Sequence, residues 1–208
     1  MEMILKAEGL VKSFGKGAAQ RRVLDGVDFS VAAGECLGIV GQSGCGKSTA
    51  MRIAARLLDA DEGRISFCGK DITHTRGREL REVYGAMQMI FQMPEDSFDP
   101  RKTLGWSIAE PLLRHGWPKA RREERVTALL QEVGLGTHFA VRYPHEASGG
   151  ECQRAAIARA LTLSPKLLIC DEVTSALDVT VQAQVVRLLR RILQEQGRRA
   201  LAGEYLSH

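Results

Sequence analysis

One run of residues restricts this chain more than any other: Gly41-Gln42-Ser43-Gly44-Cys45-Gly46-Lys47-Ser48, which fits G-x-x-x-x-G-K-[ST] at every fixed position. Before it, Cys36-Leu37-Gly38-Ile39-Val40 is almost wholly apolar and reads as a buried strand. After it, from Lys47 through Leu58, apolar residues recur at helical spacing. A strand that passes through glycines into a helix is the setting in which this pattern cradles phosphates. The glycines let backbone N–H groups turn inward, and the helix N-terminus adds its positive end. Lys47 then reaches the outer phosphates, Ser48 offers its hydroxyl to Mg2+, and Thr49 beside them is counted among the nucleotide-binding residues. The competing reading, a glycine-rich turn without a ligand, needs strand, loop and helix to coincide by chance.

The flanking pattern gives the fold class. Residues 3–7 read as a strand, 27–31 alternate with period two, and 64–67 and 87–91 read as further strands. From about Thr103 to Tyr143 the character changes. Trp106, Ile108, Leu112 and Leu113, then Val126, Leu129, Leu130 and Val133, recur at helical spacing between Pro and Gly breaks. Helices are also expected over 148–163 and 179–196, on either side of a short buried strand, Leu167-Leu168-Ile169-Cys170. The expectation is an α/β phosphate-loop NTPase core, a mixed or parallel sheet with flanking helices and N-terminal antiparallel strands, carrying an inserted helical subdomain. The segments read as 1–102 for the first part of the core, 103–146 for the helical subdomain and 147–208 for the remainder.

Two carboxylates, Asp171 and Glu172, close the buried strand, where a parallel sheet presents groups beyond its strand ends. Asp171 can hold Mg2+ through water. Glu172 is placed to polarise an attacking water, because phosphoryl transfer needs a positioned acceptor for the water's proton. Such acidic pairs are common at helix starts; their place after the phosphate loop gives this one its meaning.

Bulk properties exclude other classes. The formal charge is only +4, from 29 Lys and Arg against 25 Asp and Glu, too mild to point to nucleic acid. The basic clusters at 21–22, 76–81, 119–125 and 187–199 read as solvated faces. No apolar run approaches the roughly 20 residues that span a bilayer, and the start Met1-Glu2-Met3 lacks the basic and apolar regions of a signal peptide. A cytoplasmic chain with reduced thiols is expected. Cys36, Cys45, Cys68, Cys152 and Cys170 form no C-x-x-C pair, which argues against disulfides and a cysteine metal site. Cys45, inside the loop near a helix N-terminus, is either a reactive thiol or a small residue tolerated for its size. His74, His115, His138 and His145 lie in polar or loop contexts and suggest no role.

Between the two nucleotide motifs stands Ala147-Ser148-Gly149-Gly150-Glu151-Cys152-Gln153-Arg154. Ser148 and Glu151 make an S-x-x-E capping box at a helix start, with amides placed to receive an anion; a cap without a ligand is the plainer alternative. The segment resembles the signature of ABC transporter ATPases, usually Leu-Ser-Gly-Gly-Gln, and departs from it at Ala147 and Glu151. The resemblance implies that Ser148, Gly149, Gly150 and Glu151 meet the γ-phosphate held by an opposite subunit, giving two composite sites in a dimer. It also implies that Gln92 senses Mg2+ and the attacking water, that Asp178 in Ser175-Ala176-Leu177-Asp178 pairs across the dimer, and that Phe14 stacks on adenine. For Phe14 a place in the core stands as the alternative. Val173 replaces a proline usual after the catalytic Glu.

Within the family, Ser97-Phe98-Asp99-Pro100-Arg101-Lys102-Thr103, Ile108-Ala109-Glu110-Pro111-Leu112 and the run from Ala176 to Gln184 are similar to the oligopeptide, dipeptide and nickel importer branch. The resemblance implies an ATP- and Mg2+-dependent ATPase that powers import of peptides or nickel-type cargo. Its implied partners are a second ATPase subunit, identical or not, transmembrane permease subunits and, indirectly, a substrate-binding protein, with no nucleic acid. The implied place is the cytoplasm, peripheral on the inner face of the cell membrane. After Gly197 the family continues with a strongly apolar strand and then Ser-His-Asp, whereas this chain reads Arg198 to His208. The expectation is therefore a missing strand, an uncovered sheet edge, and in His208 either the one stand-in for the family's switch histidine or a frayed terminal histidine without a role. Two alternatives follow: a shortened ABC ATPase that binds ATP with little hydrolysis, and a soluble ABC ATPase acting on nucleic acid or the ribosome.

Overall fold

The computed structural model describes residues 2–91, 97–171, 183–189, 191 and 199–203, with residue 18 and the last five described by backbone alone. They fall into two compact units. One comprises Met1–Met89, Lys166–Asp171 and Leu193–His208, the other Ile90–Pro165 and Glu172–Ile192.

The first unit holds two sheets. Strands β1 (Met3–Phe14) and β2 (Arg21–Ala32) form a long antiparallel pair, each extending well beyond its expected stretch. Opposite β2, β4 (Glu62–Phe67) pairs with β1 and then with β5 (Lys70–Asp71), giving the order β2-β1-β4-β5. The β1–β4 register slips between Glu8 and Val11. Gly63 faces that slip at φ +104°, and a Cβ there would lie 2.6 Å from the carbonyl oxygens of Glu8 and Gly9. The close crossing thus requires glycine.

The second sheet runs β3 (Cys36–Ile39), β8 (Arg199–Gly203), β7 (Leu167–Cys170) and β6 (Met87–Ile90) in that order. Strand β8 lies parallel to both neighbours, Ala200 opposite Cys36 on one side and Leu168 on the other. This corrects the expectation of a missing strand after Gly197. A central parallel strand is held chiefly by its backbone ladder, and this proline-free stretch supplies a donor and an acceptor at every position without a strongly apolar run.

Leu167, Leu168 and Ile169 are wholly buried, as their apolar run predicts. Leu5, Leu10, Met51, Ile53 and Ile65 join Leu167 and Ile169 in the core of this unit, each burial being worth about 1.5–3 kcal/mol. By contrast β3 is only partly buried, Cys36 is exposed and Val40 is 67% exposed, because the strand ends at Ile39 and Val40 already belongs to the loop.

Helix α1 (Lys47–Ala54) is shorter than its pattern predicts. Arg56 adopts a left-handed φ of 60°, and the chain closes with Leu57 N–H donating to Arg52 O and Arg56 N–H to Ile53 O, both at 2.9 Å. These are the two bonds of a Schellman stop. An arginine holds the position usually given to glycine because its buried side chain pairs with Asp59 at 2.9 Å. Helix α2 (Gly77–Ala86) goes unread in the sequence, where its arginines look like a mere basic cluster; only Val83 is buried, so its apolar stripe is thin.

In the second unit, α3 (Leu104–Arg114), α4 (Lys119–Glu132) and α5 (Gly149–Leu161) pack on one another, and a 3-10 turn at Thr137–Val141 packs against α3 and α4. Thr103 caps α3 by accepting from Trp106 N–H at 3.2 Å. Leu104, Ile108 and Leu112 form its buried face, while Trp106 and Leu113, expected on that face, are 40% and 47% exposed. The stripe follows i, i+4, i+8, and Trp106 and Leu113 lie off it. Residues 183–189 are helical, and the rest of the expected 179–196 helix lies outside the described residues, apart from Arg191.

Candidate functional site

The loop from Val40 to Gly46 carries the chain from β3 into α1. Gly46, the N-cap of α1, has φ 104° and ψ 4°. A Cβ there would come within 2.9 Å of Val23 O and of Leu24 Cδ2, so only glycine allows the loop to close against β2. No side chain caps the first turn of α1 and no acid stands in it. Its positive end therefore lacks an internal anion, as an anion site requires.

Lys47 is buried, and its ammonium donates to Gly41 O at 2.6 Å and to Gln42 O at 2.8 Å. The lysine thus braces the loop by its own carbonyls, and an arriving phosphate competes with them for the same charge. A Cβ at Gly41 would meet Cys45 Sγ at 2.8 Å, so the thiol would have to turn aside to admit one. Cys45 is exposed, and its N–H donates to Gln42 O at 3.3 Å, making the turn inside the loop. Gln42, Ser43 and Gly44 are exposed, and Ser48 and Thr49 half-buried on α1.

Asp171 follows β7 directly. Since β3 and β7 both run parallel to β8, the carboxylate and the phosphate loop lie at the same edge of the sheet. The residue is 2% exposed, and its shielded Oδ1 has no hydrogen-bond partner among the described residues. Oδ2 stands 3.9 Å from an Arg52 guanidinium nitrogen. Leaving a buried carboxylate oxygen unmatched costs about 1–3 kcal/mol or more, which suits an oxygen reserved for a cation or its water. Sequence reasoning misses Arg52, although its place four residues after Ser48 on the same helix is a usable signal.

Phe14 ends β1 with 44% of its surface exposed and the Lys12 ammonium 5.8 Å from its ring centre. That rules out the core alternative and leaves an aromatic face available for stacking.

In the second unit Ser148 is the N-cap of α5. The Glu151 carboxylate accepts from both Ser148 N–H and Ser148 Oγ at 2.8 Å. These bonds, aided by the charges of Arg154 and Arg142, hold its pKa below the ordinary carboxylate value. The S-x-x-E box therefore forms as read, with Gly149 and Gly150 half-buried in the first turn. Glu172, Gln92, Asp178 and His208 lie outside the described residues.

Residues 24–175 match the ABC transporter family. Among curated proteins, the chain is similar to the oligopeptide transport ATP-binding protein OppF of Salmonella typhimurium, 51% identical over 179 residues, which are 85% of this chain and 53% of that protein. It is 50% identical over 203 residues to the oligopeptide transport ATP-binding protein AppF of Bacillus subtilis, covering 93% of this chain and 62% of the relative. The chain thus spans little more than half the length of these relatives. Among solved structures, a dimeric post-hydrolysis state of an ATP-binding cassette bound to ADP and Pi superposes with a TM-score of 0.87 at 27% identity, over 96% of this chain and 87% of that one.

Proposed function

The chain belongs to the ABC transporter family, and from that premise we propose that it binds ATP with Mg2+ and hydrolyses it as the energy-supplying subunit of a membrane importer. Its similarity to oligopeptide transport ATP-binding proteins supports peptides, or cargo of related chemistry, as what the importer carries. The observation that carries the reading is the pairing, at one sheet edge, of an uncapped helix start behind Gly46 with the unmatched buried oxygen of Asp171.

In this reading the loop amides and Lys47 hold the β- and γ-phosphates, Phe14 stacks on the base, and Ser48, Asp171 and Gln92 hold Mg2+. The ion, when bound, offsets phosphate charge. Glu172 accepts the proton of the attacking water, so its carboxylate must be ionised and within hydrogen-bond reach of a water held in line with the γ-phosphorus. Ser148, Gly149, Gly150 and Glu151 serve the nucleotide of a second ATPase subunit, with Asp178 at the seam between the two. Permease subunits and a substrate-binding protein complete the assembly, and the chain sits on the cytoplasmic face of the membrane through them.

Calorimetry of Mg-ATP binding to Lys47→Ala tests the site. Losing a charge-assisted contact of about 1.5–3 kcal/mol weakens binding by about tenfold or more. Unchanged affinity removes the assignment, and Glu172→Gln should retain binding while abolishing phosphate release.

A further inference from the structure

We propose that three arginines of the second unit, Arg154, Arg187 and Arg191, form a binding site for a small phosphate monoester, made by residues none of which belongs to the phosphate loop. All three line one pocket of about 310 Å³ together with Gln184, Val133 and Leu188, and every one of these residues lies in that unit. The volume falls at the small end of ligand pockets, about 300–1,000 Å³. Arg154 stands on α5, whereas Gln184, Arg187 and Arg191 are helical residues spaced i, i+3 and i+7, which sets them on one helix face. The sequence reads the basic run at 187–199 as a solvated face. At two of its positions the fold instead brings in a guanidinium from another helix.

Three cations meet here without a matching anion. No carboxylate stands among the described lining residues, and none of the three guanidiniums forms an ion pair among the described residues. Their hydrogen bonds go to neutral oxygens. Arg154 Nη1 donates to Gln184 Oε1 at 3.4 Å, Arg187 Nε to Ala183 O at 3.1 Å and Arg191 Nη2 to Glu132 O at 2.6 Å. The last bond alone is an ordinary cap on the final turn of α4. A guanidinium carries five N–H donors, so most of them have no acceptor among the described residues. One, Arg154 Nε, is shut off from solvent without a partner, and a buried donor left unmatched is costly. Glu151, three residues before Arg154, feels its charge, but the bonds of that carboxylate go to Ser148. Like charges gathered at one place repel, and the arrangement is explained when an anion belongs between them.

The donors also select the anion. A planar guanidinium pairs bidentately with carboxylate or phosphate oxygens, and three of them call for more charge and more oxygens than one carboxylate brings. A phosphate monoester carries about two negative charges at neutral pH and three strong acceptor oxygens. Val133 and Leu188, both buried, offer an apolar wall to its organic part.

Calorimetry of glycerol 3-phosphate binding to the full chain is the test. A Kd of about 5 mM or tighter is expected. It should agree within about twofold between wild type and Lys47→Ala, while ATP binding falls in Lys47→Ala, so failure here is distinct from failure of the ATPase reading. Arg187→Gln combined with Arg191→Gln should weaken glycerol 3-phosphate binding by about tenfold or more, through loss of two charge-assisted partners. Lysine at both positions should cost less, because an ammonium keeps the charge but not the fork. Succinate, a dianion with carboxylates in place of phosphate, should bind about fivefold more weakly or worse. A weaker Kd than expected, binding that is lost in Lys47→Ala but kept in the double glutamine variant, or equal affinity for succinate overturns the proposal. Capture by phosphatidic acid vesicles without binding of glycerol 3-phosphate overturns it as well, by assigning the arginines to a lipid surface. Should the double variant fail to melt cooperatively, Arg187→Gln alone changes an exposed residue bonded only within its own helix; it must weaken binding by about threefold or more, or the proposal fails.

Discussion

Asp171 Oδ2 lies 3.9 Å from the Arg52 guanidinium, while its Oδ1, shut away from solvent, has no hydrogen-bond partner among the described residues. One oxygen is thus loosely compensated and the other unmatched among the described residues. Removing Arg52 should leave the buried charge with less compensation, and Arg52→Met is expected to destabilise the chain by about 1 kcal/mol, less than for a fully buried pair because the arginine is half exposed. Mg-ATP supplies an alternative counter-charge, so the gain in Tm on adding it should be larger in Arg52→Met than in wild type. Thermal melts with and without Mg-ATP check this, and an equal gain in both proteins contradicts it.

Gly46 and Gly44 both have positive φ but differ in surroundings. Gly44→Ala meets nothing within 4 Å and should cost about 1–2 kcal/mol of backbone strain alone. Gly46→Ala adds a 2.9 Å collision with Val23 O, which is backbone and cannot rotate away. The expected outcome is a clearly lower Tm for Gly46→Ala than for Gly44→Ala, together with loss of ATP binding.

The thiols divide by environment. Cys36 and Cys45 are exposed, whereas Cys152 and Cys170 are buried. Maleimide should label the exposed pair first, and ATP should protect Cys45 while leaving Cys36 unchanged; mass spectrometry of the labelled peptides decides. Burial, with a smaller contribution from the Cys36 charge, pushes the Cys170 thiol up to about 12 from an ordinary value of 9.0. Between those values the unfolded chain releases a proton that the folded chain keeps, so stability must fall as pH rises through that window, by about 1.4 kcal/mol per unit at most. Cys170→Ala should flatten that slope in denaturant titrations at pH 9 to 10.5.

Glu151 accepts two bonds from Ser148, and its pKa is lowered as a result. Its contribution to stability is therefore present above the ordinary carboxylate value of 4.5 and is lost as pH falls through the lowered one. Glu151→Ala should cost about 1 kcal/mol at pH 7, as for loss of a helix cap, and less in acid. Glu151→Gln keeps an acceptor but removes a negative charge from the anion-receiving end, and is expected to raise ATP turnover by about two- to fivefold. Phosphate-release assays on the two variants separate the cap from the charge.

The features legible along the chain are local in origin. The phosphate loop was legible because its demands, glycine at positive φ and a lysine opening a helix, are met within eight consecutive residues. The Ser148–Glu151 box is a contact between residues three apart, and β7 declares itself by an unbroken apolar run. Tertiary structure alone decided the rest. It stopped α1 at Arg56, whose left-handed turn is supported by the pairing of its buried side chain with the exposed Asp59, and placed β8 between β3 and β7 through backbone pairing that no window of side chains records. It also brought Arg52 to Asp171 and Arg159 to Ser97, the latter across 62 residues of chain. Propensity and periodicity describe a residue's neighbours along the chain, whereas a guanidinium finds its acceptor only after the sheet and helices have packed, and that separation in sequence is why these pairings could not be read beforehand.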